Sequence, residues 1–274
     1  MDISEFVKTI SAENSSPGLG TEYYYRGHSN KDYKLTPSIY RNEELINNEH
    51  NIFRQAIVNN PHDFSNCKTT IENLVKMQHY DIPTRLLDVT SNALVALYFA
   101  CDKCPKQNGE VITFKIYDNN IKYYDSDTIS ILANVSKIRP DYVFEQEITS
   151  KSEFSGTQGV GFLLHEIKKE IPHFQNEINP NDTKSVFLVK TKLDNQRIQK
   201  QSGAFLIFGF IDDKTNSATI PKSWILNRIL IPAEDKRKII EELNNFGINE
   251  NTLFPEITSQ GDFLRKRYER PILN

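Results

Sequence analysis

The chain has 274 residues, of which 38% are hydrophobic and 25% charged, with a formal net charge of −3. Such a chain is long and apolar enough to build a substantial core, which excludes a disordered segment. The near-neutral balance excludes global steering onto nucleic acid, though not a local basic groove. No apolar run reaches the roughly 20 residues that span a bilayer, so no membrane partner is expected. The acidic start MDISEFVKTISAENSS has no apolar core and is not expected to act as a signal peptide. Three cysteines, Cys67, Cys101 and Cys104, are too few and too odd in number for a disulfide scaffold, and point to a reducing, cytoplasmic setting.

Residues 3–11 predict a short helix with Phe6, Val7 and Ile10 on one side. SPGLG at 16–20 predicts a turn, and the aromatic run YYYRG predicts a strand. Over 42–60, Leu45, Ile46, Glu49, Phe53 and Ile57 recur at three and four and predict one helix. Over 67–80, Ile71, Leu74, Val75 and Gln78 predict another. DIPTRLLD breaks it, because the residue before Pro83 is pushed out of the helical region. VTSNALVALYFACDK resumes as a helix, almost wholly apolar from Ala93 to Ala100, and is therefore expected at the centre of the fold. GEVITFKIY (109–117) alternates and predicts a strand.

Residues 119–180 are polar and weakly patterned around DTISILANV and GVGFLLHEIKKEI. SVFLVKTK (185–192), GAFLIFGF (203–210) and RILIP (228–232) predict strands. AEDKRKIIEELNNFGI predicts a helix with Ile239, Ile240, Leu243 and Phe246 facing in and Gly247 at its C-terminal cap. No repeat of 20 to 50 residues is visible. Helices early and strands late imply the α+β class, a mixed or antiparallel central sheet with an early helical portion.

Three polar clusters carry candidate chemistry. In the first, EYYYRGHSN, residues i and i+2 of a strand share a side. Arg26 and His28 then converge on one ligand, with Gly27 allowing close backbone approach. The guanidinium fork suits a phosphate; the competing reading is a surface arginine on an edge strand. In the second, MQHYDIPTRLLD, Gln78, His79, Tyr80, Thr84, Arg85 and Asp88 surround a helix break. Either Arg85 and Asp88 form a buried ion pair that pins the break, or His79 and Arg85 join the Arg26 pocket. In the third, RIQKQSGAFLIF, Gln201 and Gly203 open a strand, where glycine marks a bulge or a close ligand approach. CDKC (Cys101, Cys104) lacks the second pair of a zinc site and follows a helix instead of starting one, so ordinary thiols and no metal are expected. The tail RKRYER is a basic patch with an aromatic, fit either for solvent or for phosphates.

YYYRGH, LTPSIYR, MQHYDIPTRLLDVTSNALVALYFA, RIQKQSGAFLIF and ILIPAEDKRKIIEELNNFGINENTLFP resemble, in order, the blocks of the FRG domain family. The naming motif is here Tyr25, Arg26 and Gly27. The resemblance implies a single domain over 1–274, with a core from about residue 20 to 256 and an insertion at 119–180. Asp81 stands where the family usually has glycine.

A weaker resemblance is to arginine-type ADP-ribosyltransferases. It implies that Tyr25, Arg26, Gly27, Arg85 and Phe205 bind the cofactor and substrate NAD, and that His28, His79 and Gln201 act on it. Gly203 stands where those enzymes carry their catalytic glutamate. The implied function is a toxin-like effector that transfers ADP-ribose to a protein or nucleic acid acceptor, in antiviral defence or with an antitoxin. The alternative is a non-catalytic module that binds a nucleotide, a nucleic acid or a phage protein.

Overall fold

The structure, a computed structural model, describes residues 1–14, 18, 20–145, 147–192 and 195–256. Most of the predicted SPGLG turn and all of RKRYER lie outside the described residues. Helix α1 (Ile3–Glu13) starts on a capping box between Asp2 and Glu5, and strand β1 (Thr21–His28) follows. Helices α2 (Glu43–Asn47), α3 (Glu49–Asn59), α4 (Pro61–Phe64) and α5 (Thr70–His79) lead to strand β2 (Leu86–Thr90). Next come α6 (Ala93–Asp102), β3 (Gly109–Tyr117), β4 (Ile121–Tyr123), α7 (Asp127–Asn134), α8 (Lys151–Ser155), α9 (Gln158–Lys168) and α10 (Pro180–Thr183). The remainder is β5 (Val186–Lys190), α11 (Gln196–Lys200), β6 (Gly203–Phe208), β7 (Phe210–Ile211), β8 (Asp213–Ser217), β9 (Ile225–Ile231), α12 (Lys236–Asn245) and α13 (Glu250–Leu253).

Seven strands form one sheet in the order β4-β5-β6-β2-β1-β3-β9. Every neighbouring pair is antiparallel except β4 with β5, so the sheet is mixed, as the order of elements predicts. Tyr25 of β1, Val111 of β3 and Ile231 of β9 pack under α6 and α12. Leu86, Phe205 and Ile207 pack under α5 and α7 on the same face, since Tyr25 and Thr90 are register partners. The other face buries Tyr24, Leu87, Val89, Ile112, Phe114 and Trp224.

Four details depart from the sequence reading. The helix predicted over 42–60 breaks at Asn48, which leaves helical geometry and bonds its side chain back to the Glu44 carbonyl at 3.0 Å. LLD, read as part of the break, and VT, read as the start of the next helix, together form strand β2; an apolar run this short has no period to tell strand from helix. Val7 is 42% exposed, because Ile3, Phe6 and Ile10 make the buried stripe. Phe246 is 67% exposed, because it is the C-cap residue and no longer follows the helical period. Gly247 takes the left-handed conformation expected of it, with φ 74°. The 119–180 segment is tied into the body of the fold: β4 extends the sheet beside β5, and Ile129, Leu132 and Ala133 of α7 join the core under α5. No helix among the described residues is long and apolar enough to cross a membrane.

Arg85 organises the break between α5 and β2. Its side chain is 0% exposed. Nε and Nη2 donate to Glu49 Oε1 and Oε2 at 2.9 and 2.5 Å, and Nη1 donates to the Phe208 carbonyl at 3.1 Å. Lys214 Nζ sits 2.8 Å from the same Glu49 carboxylate and also donates to the Ile138 carbonyl at 2.6 Å. Burial opposes the Glu49 charge, but Arg85 and Lys214 outweigh it and hold the carboxyl well below the usual carboxylate range. Two cations share this one carboxylate and turn further donors to the backbone carbonyls of Phe208, Val135 and Ile138, the kind of hydrogen bonding that burying ions requires. Glu49→Gln leaves two buried cations without their anion and is expected to cost about 3–5 kcal/mol, measured as a lower urea midpoint of unfolding.

Candidate ligand site at the opening between β1 and β2

Alternate residues of β1 face opposite sides of the sheet. Tyr25 and Gly27 face α6. Tyr25 is 4% exposed and its hydroxyl accepts from Asn14 Nδ2 at 2.6 Å. A Cβ on Gly27 would lie 1.9 Å from the Ala96 carbonyl oxygen and 2.7 Å from the Ala100 nitrogen. Glycine therefore serves the close seating of α6 on the strand. Tyr24, Arg26 and His28 face the other way, so the predicted convergence of Arg26 and His28 is present, without Tyr25 or Gly27.

β1 is paired with β3 along its whole length, from Thr21 with Tyr117 to His28 with Glu110. With β2 it shares, among the described residues, the single register pair Tyr25–Thr90. Beyond that pair the strands part, and Arg26 reaches across the opening. Its Nη1 donates to the Asp88 carbonyl at 2.6 Å and lies 4.0 Å from Asp88 Oδ2. Its Nε donates to His28 Nε2 at 3.0 Å. An arginine only donates, so His28 Nε2 carries the lone pair and Nδ1 the proton. That proton goes to Glu110 Oε1 at 3.0 Å, and Arg228 Nη1 meets the two Glu110 oxygens at 2.8 and 3.0 Å. Arg228, Glu110, His28 and Arg26 thus form a relay across β9, β3 and β1.

His28 is 2% exposed. Burial pushes its pKa down to about 3, helped by Arg26, Arg228 and Arg41. His28 is therefore neutral near pH 7, and its accepting nitrogen is engaged by Arg26. It holds the guanidinium in place. Burial and Arg41 act against the charge of Arg26 while Asp88 supports it. The Arg26 side chain is 16% exposed, and its Nη2 makes no hydrogen bond among the described residues. The result is a fixed cation with free donors at the mouth of a strand opening, a fit for an anionic oxygen.

The second cluster supplies one member to this opening. Gln78 Nε2 donates to Asp88 Oδ2 at 2.7 Å and its Oε1 accepts from Thr84 Oγ1 at 2.6 Å. His79, the next residue, turns aside: Nε2 is 3.5 Å from Glu256 Oε1, and its ring meets Tyr80 edge-on at 4.8 Å. Arg197 Nη1 donates to the His79 carbonyl at 3.1 Å and stacks over Phe254 at 4.8 Å. Gln201 does not open β6 but caps α11; Ser202, at φ 47°, turns the chain into the strand. Its Nε2 donates to the Leu253 carbonyl at 3.0 Å, and its own carbonyl accepts from Thr90 Oγ1 at 2.7 Å. His79 and Gln201 therefore meet over residues 253–256. The anchor of Gln201 on β2, Thr90, lies about 7 Å along the strand from Asp88.

Two expected members stand elsewhere. Arg85 is enclosed with Glu49, which replaces Asp88 as its partner, and Phe205 is 4% exposed in the core under α5. The residues that sequence reasoning missed are Glu110, Arg228, Arg197 and Glu256. A carboxylate at the head of the buried strand GEVITF was a signal for Glu110; the other contacts are long-range and leave no local pattern. Among the described residues, no group of three His, Cys, Asp or Glu side chains is placed to hold a metal ion, and none of the three cysteines is in a disulfide.

Residues 21–109 match the family described as FRG domain. The match runs from the start of β1 to the start of β3, so it includes Arg26, His28, Gln78, His79, Arg85 and Asp88, and leaves out Glu110, Gln201, Arg228 and Glu256. No curated protein and no solved structure matches the chain.

His28 takes a proton near pH 6.5 when unfolded and only near 3 when folded. Its contribution to stability is thus complete above about pH 6.5 and declines as the pH falls toward 3. Urea midpoints across that window are expected to fall more steeply for the wild type than for His28→Gln.

Proposed function

We propose that the opening between β1 and β2 binds the phosphate of a nucleotide, and that the ligand is NAD, from which ADP-ribose is transferred to a macromolecular acceptor. The observation that carries the binding site is Arg26: its Nε and Nη1 are fixed by His28 and Asp88, and its Nη2 remains available. A guanidinium already oriented loses little entropy when it meets a phosphate. The neutral state of His28 leaves its Nε2 lone pair to accept from Arg26 Nε, which holds the guanidinium in place. The transfer step and the role of a toxin-like effector, in antiviral defence or beside an antitoxin, rest on the resemblance of the Tyr-Arg-Gly strand to ADP-ribosyltransferases.

Gly203, at the position of the expected glutamate, and the engagement of the Gln201 amide by Leu253 favour a second reading. In that reading the same opening recognises a nucleotide, nucleic acid or phage protein without chemistry. Purified protein incubated with labelled NAD and cell extract separates the two. Label transfer that falls about a hundredfold or more in Arg26→Ala, with the fold intact by circular dichroism, is the expected result. Arg26→Lys keeps the charge without the fork and is expected to fall in between. Unaltered transfer in Arg26→Ala would sink the site assignment, and nucleotide retention without transfer would establish the binder.

A further inference from the structure

Arg41 ends the block LTPSIYR, and its charge has no protein partner. Its Nε donates to the Thr36 carbonyl at 3.2 Å, while Nη1 and Nη2 make no hydrogen bond and no ion pair among the described residues. The residue is exposed. Elsewhere the fold answers arginines with close carboxylates: Arg85 with Glu49, Arg139 with Asp141 and Arg228 with Glu110. Arg26 has only Asp88, at 4.0 Å and 57% exposed. Arg26 and Arg41 are therefore two guanidinia whose charges the protein leaves largely unanswered.

Arg41 also stands on the Arg26 side of the sheet. Leu35 and Tyr40 pack against the core formed by Tyr24, Leu87, Val89 and Ile112, the face toward which β1 turns Arg26 and His28. Tyr33 meets the His28 ring edge-on at 6.0 Å. The 3-10 turn Ser38–Arg41 is pinned to the residue that precedes Arg85 and β2. Ile39 is 0% exposed and its nitrogen donates to the Thr84 carbonyl at 3.2 Å, while Ser38 Oγ accepts from the Thr84 nitrogen at 3.1 Å. Thr84 Oγ1 donates to Gln78, which grips Asp88. The charges report the same proximity. After burial and Asp88, Arg41 acts on Arg26; after burial, Arg26 and Arg228, it acts on His28. The Cys104 contact raises the Tyr33 pKa, and Arg41 pulls against it. Segment 33–41 thus walls the opening on the Arg26 side and brings a second guanidinium toward the first.

Like charges on one face repel unless an anion lies between them. Arg26 has one end nitrogen left to offer, Nη2, and Arg41 has both of its own. We propose that Arg41 is the second phosphate-binding arginine of this opening, and that the site takes two linked phosphates, one on Arg26 Nη2 and one on the Arg41 fork. In a diphosphate diester each phosphate carries one negative charge, which matches one guanidinium apiece. The inference rests on the nucleotide reading above and adds the residue that holds the second phosphate.

Calorimetric titration of the full chain with inorganic pyrophosphate, inorganic phosphate and ADP-ribose, at one ionic strength, tests it. Arg41→Gln is expected to weaken pyrophosphate and ADP-ribose at least about tenfold, the value of one charge-assisted hydrogen bond, and to leave phosphate within about twofold. Arg41→Lys, with the charge but not the fork, is expected to fall in between. Arg26→Ala is expected to weaken all three probes. The thermal midpoint of Arg41→Gln is expected to hold or rise, since a like charge near Arg26 is removed; a fall would mark Arg41 as a support of its turn and count against the proposal. Wild-type affinity for pyrophosphate in Arg41→Gln, or an equal loss for phosphate and pyrophosphate, overturns this inference; with Arg26→Ala impaired, the Arg26 reading stands. Failure of the wild type to bind pyrophosphate also overturns this inference, and failure to bind ADP-ribose as well overturns both.

Discussion

The seating of α6 on β1 at Gly27 decides where the rest of the site goes. The Ala96 carbonyl occupies the space that any side chain at Gly27 would need. With that face of the strand sealed by backbone, the strand's two-residue period sends Arg26 and His28 to the opposite side. There the pairing of β1 with β3 continues to the end of the strand, while its pairing with β2 is confined to Tyr25–Thr90. The divergence leaves the Asp88 carbonyl facing a guanidinium instead of a ladder partner. The candidate site is thus a defect in a sheet, filled by one side chain.

Two arginines in the same family-matched stretch have opposite fates, and hydrogen-bond matching explains why. Arg85 meets a carboxylate with two of its nitrogens and a carbonyl with the third, in a setting where Lys214 shares the same carboxylate. It has nothing left to offer a ligand. Arg26 meets a neutral imidazole and one carbonyl. Its charge is only partly answered, by Asp88 at 4.0 Å and 57% exposed, so a solvent-facing anion competes well for it. Arg85 supports the fold around β2, and Arg26 faces outward from it.

The relay behind Arg26 shows how a strand register can fix the tautomer of a buried histidine. His28 and Glu110 are register partners, as are Ile112 with Arg26 and with Arg228. The three strands bring an acid between a histidine and an arginine, and the arginine takes the acid's charge. Burial, helped by the arginines around it, leaves the histidine neutral, with one nitrogen donating and the other accepting. That state lets a buried ring serve as a support for a cation beside it.

The chain order of apolar patterns was enough to determine the α+β class, the strands β3, β5 and β6, the buried helix α6 and the convergence of Arg26 with His28, because these follow from periods of 2 and 3.6 within a few residues. The same local reading kept Tyr25 and Gly27 beside Arg26, although the period already separates them. It also joined α2 to α3 and overlooked β2, where a break at Asn48 and a run of five residues carry too little pattern. Arg85's partner is 36 positions away, Arg228 reaches Glu110 across 118, and His79 meets Glu256 at the far end of the described chain. No local rule selects such partners. Only the tertiary structure, by stacking strands in the order β2-β1-β3-β9 and folding residues 253–256 onto α5, decided which arginine is enclosed, which is presented, and which residue His79 meets.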